Sequence, residues 1–349
     1  MVISSVMPVT MQDIADDLNL SVVTVSKVLR NTGKFTAETR ERVLRRAKEL
    51  DYRANWVARS LVTRKTFTVG LLLPELTHSF FAEIAKAIAE SLRPQGYHVI
   101  ISYFEENPEL ERSETHALID RQVDGLAIAS AMASADPDIM ERLRKHKVPV
   151  VMIDRLIAGA EVSFVGVDNL KMGRIAVEHL ISQGCTRIAC LRGPKMQIAE
   201  DRASGYRRGL NAHGMESPKN GVVMAGYSDQ GGYEGMKTLL GGRPRPDGVV
   251  CFSDPVAIGA MRAIVEAGLK VPADIALIGA GNTHYSDLLA VPLTTLDQAT
   301  AETGRRAAEL LLTQMKSKRK MPAEKILIPP RLVVRQSSHL RLRNSSSKR

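Results

Sequence analysis

One face of a short predicted helix carries residues that suit the edges of base pairs. With about 100° of rotation per residue, five side chains fall within an arc of roughly 140° around the helix axis. They are two valines, one hydroxyl residue and two cations: Val22, Val23, Ser26, Lys27 and Arg30. Exposed valines match thymine methyl groups, and the cations match guanine edges or phosphates in a major groove. The face therefore predicts DNA contact, although a solvated amphipathic helix is an alternative that this segment alone leaves open.

Three short helices are predicted in this region, because hydroxyl residues stand where helix caps are needed: Thr10, Ser21 and Thr36. Asn19 separates the first helix from the second, and asparagine tolerates the left-handed backbone that a tight turn requires. The third helix is expected to turn four apolar residues inward: Val43, Leu44, Ala47 and Leu50. Two helices joined by a short turn and followed by a third are typical of a helix-turn-helix.

The charge distribution supports contact with an anionic polymer. The chain of 349 residues carries a formal net charge of +10, and residues 1–65 hold 12 Lys and Arg against 7 Asp and Glu. A small basic domain is typical of phosphate binding. The basic polar tail at 339–349 is instead expected to be solvated and disordered.

Composition argues against several other classes of protein. With 44% hydrophobic and 25% charged residues the chain is typical of a globular protein, and no apolar run reaches the roughly 18 to 20 residues of a membrane helix. The first ten residues lack a cationic stretch and a long apolar stretch, which predicts no secretory signal and a cytoplasmic location. Cys185, Cys190 and Cys251 show no paired or metal-ligand spacing, so we expect buried thiols, no metal and no cofactor.

From Phe67 onward, apolar strands alternate with amphipathic helices. The strands include FTVGLLLPE, HVIISYF, GLAIAS, PVVMID, TRIACLRG, GVVCFSD and IALIGA. Such alternation predicts parallel sheets covered by helices, and about 270 residues suit two sheets side by side. The predicted fold class is α/β: an N-terminal all-α helix-turn-helix domain followed by two doubly wound α/β lobes, with a ligand cleft at the carboxyl ends of the strands.

Several segments resemble, in order, the Lac repressor/Gal repressor family of bacterial transcription regulators. The segment VTMQDIADDLNLSVVTVSKVLRN carries the family's Ser-x-x-Thr-Val-Ser core, and the Asn-x-x-Ala-x-x-Leu pattern follows at Asn55, Ala58 and Leu61. The match continues to about Ser337 through GLLLPELTHSFFAEI, PVVMIDR, VGVDN, DRASGYRRGL, AIGAMRAI and VPLTTLDQ. The resemblance implies a sequence-specific DNA-binding transcription regulator, expected to be a homodimeric repressor, with lobes that resemble periplasmic binding proteins.

The resemblance also assigns the DNA contacts. Positions that match the family's DNA-contacting residues are Thr10, Ser21, Val22, Val23, Thr24, Ser26, Lys27, Arg30, Tyr52, Asn55, Ala58 and Leu61. By this resemblance, the hinge helices of two chains fold together on double-stranded operator DNA, and Leu61 of each wedges into the minor groove. Lys27 stands where many members have Arg, and Arg30 where Asn is common, so the operator sequence is not carried over.

A small-molecule effector is expected between the lobes, by the same resemblance, at Phe80, Phe81, Asp168, Arg202, Ser253, Asp254 and Asn282. The family favours a sugar or a sugar derivative. Gly281 stands where the family commonly has an acid that binds sugar hydroxyls, so an anionic metabolite held by Arg202 is a second hypothesis. A regulator without an effector response is a third.

Four of these effector residues also have a structural interpretation. Phe81 fits a helix core, and Arg202 fits an ion pair with a surface carboxylate. Asp168 and Asp254 each precede a predicted helix and fit helix caps. The sequence alone leaves these interpretations open.

The predicted domains are 8–54 for the helix-turn-helix, 55–66 for the hinge helix and linker, and 67–338 for the two-lobed effector-binding and dimerisation domain. Lobe one is expected at about 67–183 and 298–327, and lobe two at about 184–297 and 328–338. An enzyme is disfavoured, because GAGNTH at 279–284 lacks the third glycine of a dinucleotide fingerprint and no P-loop or nucleophile elbow occurs. A periplasmic transport protein is disfavoured, because it needs an export signal and has no use for a basic helix-turn-helix.

Overall fold

The computed structural model describes residues 9–53, 60, 63–77, 79–317, 319 and 321–339. Contacts divide the chain into two compact units, Met1–Thr66 and Phe67–Arg349. No helix within the described ranges is long and apolar enough to cross a membrane.

The N-terminal unit contains three helices with hydroxyl caps at the predicted positions: α1 (Met11–Leu18), α2 (Val22–Leu29) and α3 (Ala37–Glu49). Thr10 and Asp13 form a reciprocal capping box at the start of α1, which satisfies backbone donors that have no partner within the helix. Ser21 caps α2 by accepting a hydrogen bond from the Thr24 amide. Asn19 has a φ of 53°, which confirms the predicted left-handed turn between α1 and α2.

A small core joins the three helices of this unit. Its buried members are Ile14, Ala15, Val25, Val28, Val43 and Ala47. The expectation for Leu44 is wrong, because its side chain is 48% exposed. Leu44 lies about 100° around the helix from Val43, which turns it away from the buried stripe of Val43 and Ala47.

The second unit alternates strands and helices along its length. Its strands are β1 (Thr68–Leu73), β2 (His98–Tyr103), β3 (Gly125–Ile128), β4 (Val150–Ile153), β5 (Ser163–Val167), β6 (Ile188–Arg192), β7 (Val222–Met224), β8 (Gly248–Cys251), β9 (Ala276–Ala280), β10 (Thr294–Asp297), β11 (Lys325–Ile328) and β12 (Arg331–Val333). Its helices are α4 (Ser79–Leu92), α5 (Pro108–Asp120), α6 (Pro137–His146), α7 (Asn169–Ser182), α8 (Gln197–Asn211), α9 (Asp229–Gly241), α10 (Asp254–Glu266) and α11 (Thr300–Lys316). Short 3₁₀ turns follow at Arg93–Gln95 and Gln336–Ser338.

Among the described residues, the strands form two six-stranded sheets. The first has the order β11-β5-β4-β3-β1-β2 and is parallel throughout. The second has the order β12-β10-β9-β8-β6-β7, in which only β12 runs antiparallel to its neighbour. Central strands such as β3 and β8 are buried along their whole length, as expected for sheets covered on both faces. The predicted class, a helical N-terminal unit with two doubly wound α/β lobes, is confirmed.

The chain passes between the lobes earlier than predicted. A boundary at 183 would place α7 in the first lobe, but α7 packs against α8 and shares the core of the second. Two glycines permit this close packing, since a Cβ at Gly173 would lie 2.0 Å from the Arg202 carbonyl oxygen, and one at Gly205 would lie 2.0 Å from that of Leu170. The amphipathic pattern of α7 shows that it buries one face, but it does not show which sheet covers that face.

Gly205→Ala should destabilise the second lobe, because the added methyl group would force α7 and α8 apart. We expect the free energy of unfolding, measured by urea denaturation, to fall by about 1–3 kcal/mol. Gly241→Ala is the matched control, since Gly241 also lies on a helix and nothing is within 4 Å of its added Cβ. An unchanged urea midpoint for Gly205→Ala would contradict the close packing of these two helices.

Candidate DNA-contacting helix and inter-lobe cavity

The exposed face of α2 carries the central residues of the predicted DNA contact. Val23 is 61% exposed, and Lys27 and Arg30 are also exposed. Arg30 Nε donates a hydrogen bond to the Ser26 carbonyl oxygen at 3.2 Å, which engages only one of the five N–H groups of the guanidinium. The Thr24 and Ser21 hydroxyl groups lie 2.9 Å apart at the start of the helix. The face combines two cations with one apolar side chain.

Val22 departs from the predicted exposure. Its side chain packs partly against the core of the N-terminal unit, so Val23 is the strongly exposed valine of the pair. Tyr52 packs against the same core, and burial raises the pKa of its phenol. Both residues therefore contribute to the packing of the unit, whatever contact they make with DNA.

Of the four remaining predicted DNA contacts, one is among the residues that the structure describes and three are not. Thr10 is exposed, and its hydroxyl donates to the Asp13 carboxylate at 2.8 Å. Asn55, Ala58 and Leu61 lie outside the described residues. Their roles in the hinge stay predictions.

A cavity of about 400 Å³ lies between the two lobes of the second unit. Many of its lining residues follow or end strands: 74–75 after β1, 105–106 after β2, 154–155 after β4, 252–253 after β8 and 280–281 at the end of β9. The carboxyl edge of a doubly wound sheet is where ligands bind, because the connecting loops diverge there. The cavity lies where the strand alternation predicts a ligand cleft.

Aromatic side chains form much of the cavity wall: Phe80, Phe81, Tyr227, Phe252 and Tyr285. Phe81 is also a buried member of the first lobe's core, so its functional and structural interpretations are compatible. The ring centroids of Phe80 and Phe81 are 4.9 Å apart in an edge-to-face arrangement, and those of Tyr227 and Phe252 are 5.9 Å apart. Burial raises the pKa of Tyr227 to about 12.

Arg202 lines the cavity, and three of the five N–H groups of its guanidinium donate to acceptors within the protein. Its Nε donates to Asn169 Oδ1, and its terminal nitrogens donate to the Phe252 carbonyl oxygen and to Gln298 Oε1, each at 2.7 Å. The guanidinium carbon also lies 4.6 Å from the centroid of the Phe252 ring. Burial lowers the pKa of Arg202 to about 10. The alternative of an ion pair with a surface carboxylate is wrong, since these three acceptors are uncharged.

A second arginine, Arg155, reaches the cavity and is absent from the predicted set. It donates two hydrogen bonds to the Glu106 carboxylate at 2.6 and 2.7 Å, and its Nε lies 3.6 Å from the Asp154 carboxylate. Burial disfavours the charged guanidinium, but Glu106 and Asp154 outweigh that effect and raise the pKa of Arg155. Burial also raises the pKa of Asp154, an effect that Arg155 partly offsets. Asp154 has a φ of 60°, a left-handed backbone that is uncommon outside glycine and typical of constrained sites.

Two of the predicted effector residues lie away from the cavity lining for local structural reasons. Asp168 caps α7 by accepting a hydrogen bond from the Lys171 amide at 2.9 Å, which agrees with its structural interpretation. Asn282 has a left-handed φ of 50°, and its side chain donates to Asp297 at 3.2 Å and accepts from Arg335 at 2.9 Å. Both side chains are held by neighbouring elements and lie outside the cavity lining, so their assignment to the effector site stays a prediction.

Asp254 is a third predicted effector residue that lies away from the lining, and it is fully buried. Its Oδ2 accepts hydrogen bonds from the amide and hydroxyl of Thr283 and from the Ser286 hydroxyl, at 2.7–3.1 Å. Its Oδ1 accepts from the Thr295 hydroxyl at 2.5 Å. The cap of α10 is supplied by Ser253, which also lines the cavity as predicted. Asp254 is therefore an internal acceptor that joins α10 to the segments around β9 and β10.

Four carboxylates line the cavity and are missing from the predicted set: Glu75, Glu105, Glu106 and Asp154. Each lies within three residues of the carboxyl end of β1, β2 or β4. Their position in the sequence could have predicted that they line the cavity, because the carboxyl ends of parallel strands meet at one edge of the sheet. Acidic residues are also common in solvated loops, so the signal gains meaning only once the strand order is known.

Asp254→Ala should strongly destabilise the protein, because it removes the acceptor of four hydrogen bonds from Thr283, Ser286 and Thr295. We expect the free energy of unfolding in urea to fall by about 3–5 kcal/mol. Asp229→Ala is the control, since Asp229 occupies the same first position of α9 but is exposed. Near-normal stability of Asp254→Ala would show that the buried carboxylate does not hold these elements.

Two known protein families match this chain, one in each of its two units. A family profile described as bacterial regulatory proteins, lacI family, matches residues 10–55. A second profile, described as a periplasmic binding protein-like domain, matches residues 177–338. These matches cover the helix-turn-helix and most of the second lobe.

Characterised relatives match the chain along nearly its whole length. The ribose operon repressor of Halalkalibacterium halodurans is 32% identical over 330 residues, which cover 94% of this chain and 97% of the relative. The HTH-type transcriptional repressor PurR of Klebsiella pneumoniae (strain 342) is 33% identical over 332 residues, which cover 94% of this chain and 96% of the relative.

Solved structures give the same result. The Lac repressor dimer bound to operator and the anti-inducer ONPF is similar with a TM-score of 0.83 and 27% identity, over 95% of this chain and 99% of that one. A LacI family transcriptional regulator from Enterococcus faecium with bound ribose has a TM-score of 0.69 and 28% identity, over 77% of this chain and 98% of that one. With its helix-turn-helix, its two lobes and this identity along its length, the chain belongs to the lacI family of bacterial regulatory proteins and is a DNA-binding transcription regulator.

Proposed function

We propose that this regulator binds a two-fold operator as a homodimer, represses transcription there, and responds to a small molecule in the inter-lobe cavity. The observation that carries the proposal is the exposed face of α2, with Val23, Lys27 and Arg30, in a chain whose other unit holds a cavity of about 400 Å³. A similar solved protein is a repressor dimer on its operator, which supports the proposed assembly.

The DNA contacts of the proposal divide between base edges and the backbone. Val23 can pack on a thymine methyl group, while Lys27 and Arg30 can reach guanine edges or phosphates in the same groove. Hydroxyl groups at the start of a helix suit phosphate contact, and Ser21 and Thr24 occupy that position. The proposed domains are 8–54 for this reader, 55–66 for the hinge and 67–338 for the sensor.

Control by a cavity ligand follows from how the cavity is built. Loops of both sheets line it, so a ligand that contacts both lobes favours one arrangement of the lobes over another. The chain crosses between lobes next to Asn169 and again next to Gln298, and Arg202 binds both side chains. A change in the arrangement of the lobes would therefore displace the chain at these crossovers. A ligand can alter operator affinity in this way only if it binds the two lobe arrangements with unequal affinity.

The effector class is proposed from the family. Relatives of known structure hold ribose and cellobiose, which makes a sugar the first candidate for this chain. An anionic metabolite held by Arg202 stays the second hypothesis, because three of the five N–H groups of that guanidinium donate to protein acceptors and the other two could reach a ligand.

Selection of operators from random duplexes, with purified protein at a defined salt concentration, tests the proposal without knowledge of the ligand. We expect a pseudo-palindromic consensus of two half-sites, because two identical helix-turn-helix units are related by a two-fold axis. Enrichment of a single half-site would contradict the dimer. No enrichment, either alone or with added metabolites, would contradict sequence-specific DNA binding.

Lys27→Ala should weaken operator binding and flatten its salt dependence. If Lys27 neutralises one phosphate, the slope of log affinity against log salt becomes shallower by about one unit. Lys48→Ala is the matched control, because Lys48 is an exposed lysine of the same unit on α3 rather than α2. Loss of discrimination at one base pair with an unchanged slope would assign Lys27 to base readout, and unchanged affinity would exclude it from the interface.

Leu61→Ala should weaken specific operator binding while leaving the dimer and its thermal stability unchanged. The family's hinge wedge acts by separating a base step, so its loss should reduce the bend of the operator as well as the affinity. Affinity and bending can be measured on one labelled duplex, with wild-type protein as the reference. Unchanged affinity and bending would remove the wedge from the proposal.

A further inference from the structure

The loops at one end of the first sheet lie side by side. The His98 amide donates to the Phe67 carbonyl oxygen at 2.9 Å, and the Phe67 amide donates to Asp124 Oδ2 at 2.9 Å. The Leu126 amide donates to the Pro149 carbonyl oxygen at 2.9 Å, and β11 lies in parallel register with β5. The loops that precede β1, β2, β3, β4 and β11 therefore form one surface, the amino edge of the first lobe. The cavity lies at the other, carboxyl edge.

This amino edge is rich in cations that are exposed or, for Lys65, half-buried. Six of them stand in its loops or at the end of α6: Arg64, Lys65, Arg93, Arg121, Lys145 and Lys147. None of the six forms an ion pair with a carboxylate in the described part of the chain. Arg319 is a further exposed cation, in the loop before β11. The charges of these side chains are therefore available to an anionic partner.

The acids of the same edge do not neutralise these cations. Asp124 already accepts a backbone hydrogen bond, and Asp120, the last residue of α5, lies 2.6 Å from Arg142. Glu161, just before β5, and Glu324, just before β11, are exposed. Their two charges offset only part of the positive charge of the edge.

The ends of the helices explain part of the positive charge. The last turn of α6 carries three basic residues, and cations there offset the negative end of the helix dipole. However, Lys65 and Arg319 lie outside the described helices, and Lys147 follows α6 with a left-handed φ of 57°. Stabilisation of helix ends therefore does not account for the cations of the loops.

The chain from the N-terminal unit reaches the second unit at this same edge. β1 begins at Thr68, just after the division between the two units at Thr66 and Phe67. DNA held by the helix-turn-helix is therefore tethered to the amino edge through the short segment 54–66. A tether raises the effective concentration of DNA phosphates near this edge, whatever the arrangement of the two units.

We propose that the amino edge of the first lobe is a second DNA-binding surface, which contacts backbone phosphates of the duplex that the helix-turn-helix holds. The inference rests on the proposed function, since it adds phosphate contacts to the same protein–DNA complex. Lysines and arginines without ion pairs suit this role, because they release counterions from DNA without breaking a contact within the protein. Phosphate contacts carry no sequence information, so this surface adds affinity rather than operator selectivity.

Salt titrations of DNA binding by the full-length protein test this inference. The double variant Lys145→Ala/Lys147→Ala should bind an operator duplex and a scrambled duplex about three- to tenfold more weakly at low salt. The slope of log affinity against log salt should become shallower by about one to two units, because each phosphate contact contributes about 0.9 to it. Lys219→Ala/Lys270→Ala is the matched control, since both lysines are exposed in loops at the corresponding edge of the second sheet, before β7 and β9.

Three outcomes of these titrations would overturn the proposal. The first is unchanged affinity and slope in the first-lobe variant. The second is an equal loss in both double variants, which would show an effect of net charge rather than a surface. The third is a loss confined to the operator duplex, which would contradict phosphate contact. Arg93→Glu reverses the charge of another loop and should also weaken binding to both duplexes, so the test does not depend on one variant.

Cleavage of DNA from a tethered reagent locates the surface directly. The three native cysteines are buried, so a thiol introduced by Lys147→Cys can be labelled selectively with an iron chelate. We expect strand cleavage of the bound duplex from this position and none from the control Lys219→Cys. Cleavage from neither position, or equal cleavage from both, would overturn the assignment.

Failure of this inference can be told apart from failure of the proposed function. If operator selection gives a consensus but Lys145→Ala/Lys147→Ala binds DNA as the wild type does, the regulator proposal stands and the amino edge is not a DNA surface. If selection gives no consensus while this variant loses affinity for every duplex, the surface stands and sequence-specific repression fails.

Discussion

The three hydrogen bonds of Arg202 fix the centre of the sensor unit. A guanidinium removed from water is costly unless its donors find acceptors, and these come from α7, the end of β8 and the end of β10. Asn169 and Gln298 stand where the chain passes between the lobes. One side chain of α8 therefore joins two of the three crossovers in the described part of the chain, the third being between β11 and β12. Its position in turn depends on Gly173 and Gly205, which allow α7 and α8 to pack closely.

The charges of the cavity follow from the topology. Parallel strands deliver their following loops to one edge, so acids placed after β1, β2 and β4 gather there although they are far apart in sequence. Arg155 pairs with Glu106 across the cavity wall, and the hydrogen-bond acceptors of Arg202 are uncharged. These acidic loops belong to the first lobe, whereas residues after β8 and at the end of β9 line the cavity from the second lobe, so a ligand in the cavity can contact both lobes. Recognition and control thus share one set of residues.

Local chemistry could be predicted from the sequence, whereas long-range pairing could not. The caps at Thr10 and Ser21 and the turn at Asn19 involve neighbours within a few residues, and the structure has them as predicted. The Arg155–Glu106 pair joins residues 49 apart, and no local pattern marks it. An acid next to a helix start has the same sequence signature whether it caps, binds a ligand or is buried, so the sequence alone could not show that Asp168 caps α7 or that Asp254 is a buried acceptor. The lobe of α7 was missed because periodicity shows a buried face but not its partner.

Reciprocal linkage between cavity and operator tests the central claim most directly. The dissociation constant of a sugar that binds in the cavity should be measured for the free protein and for the protein saturated with its selected operator. The account predicts that the two constants differ, by the same factor by which that compound changes operator affinity. Equal constants, for a compound whose affinity falls when a residue of the cavity lining is substituted, would contradict control of DNA binding from this site.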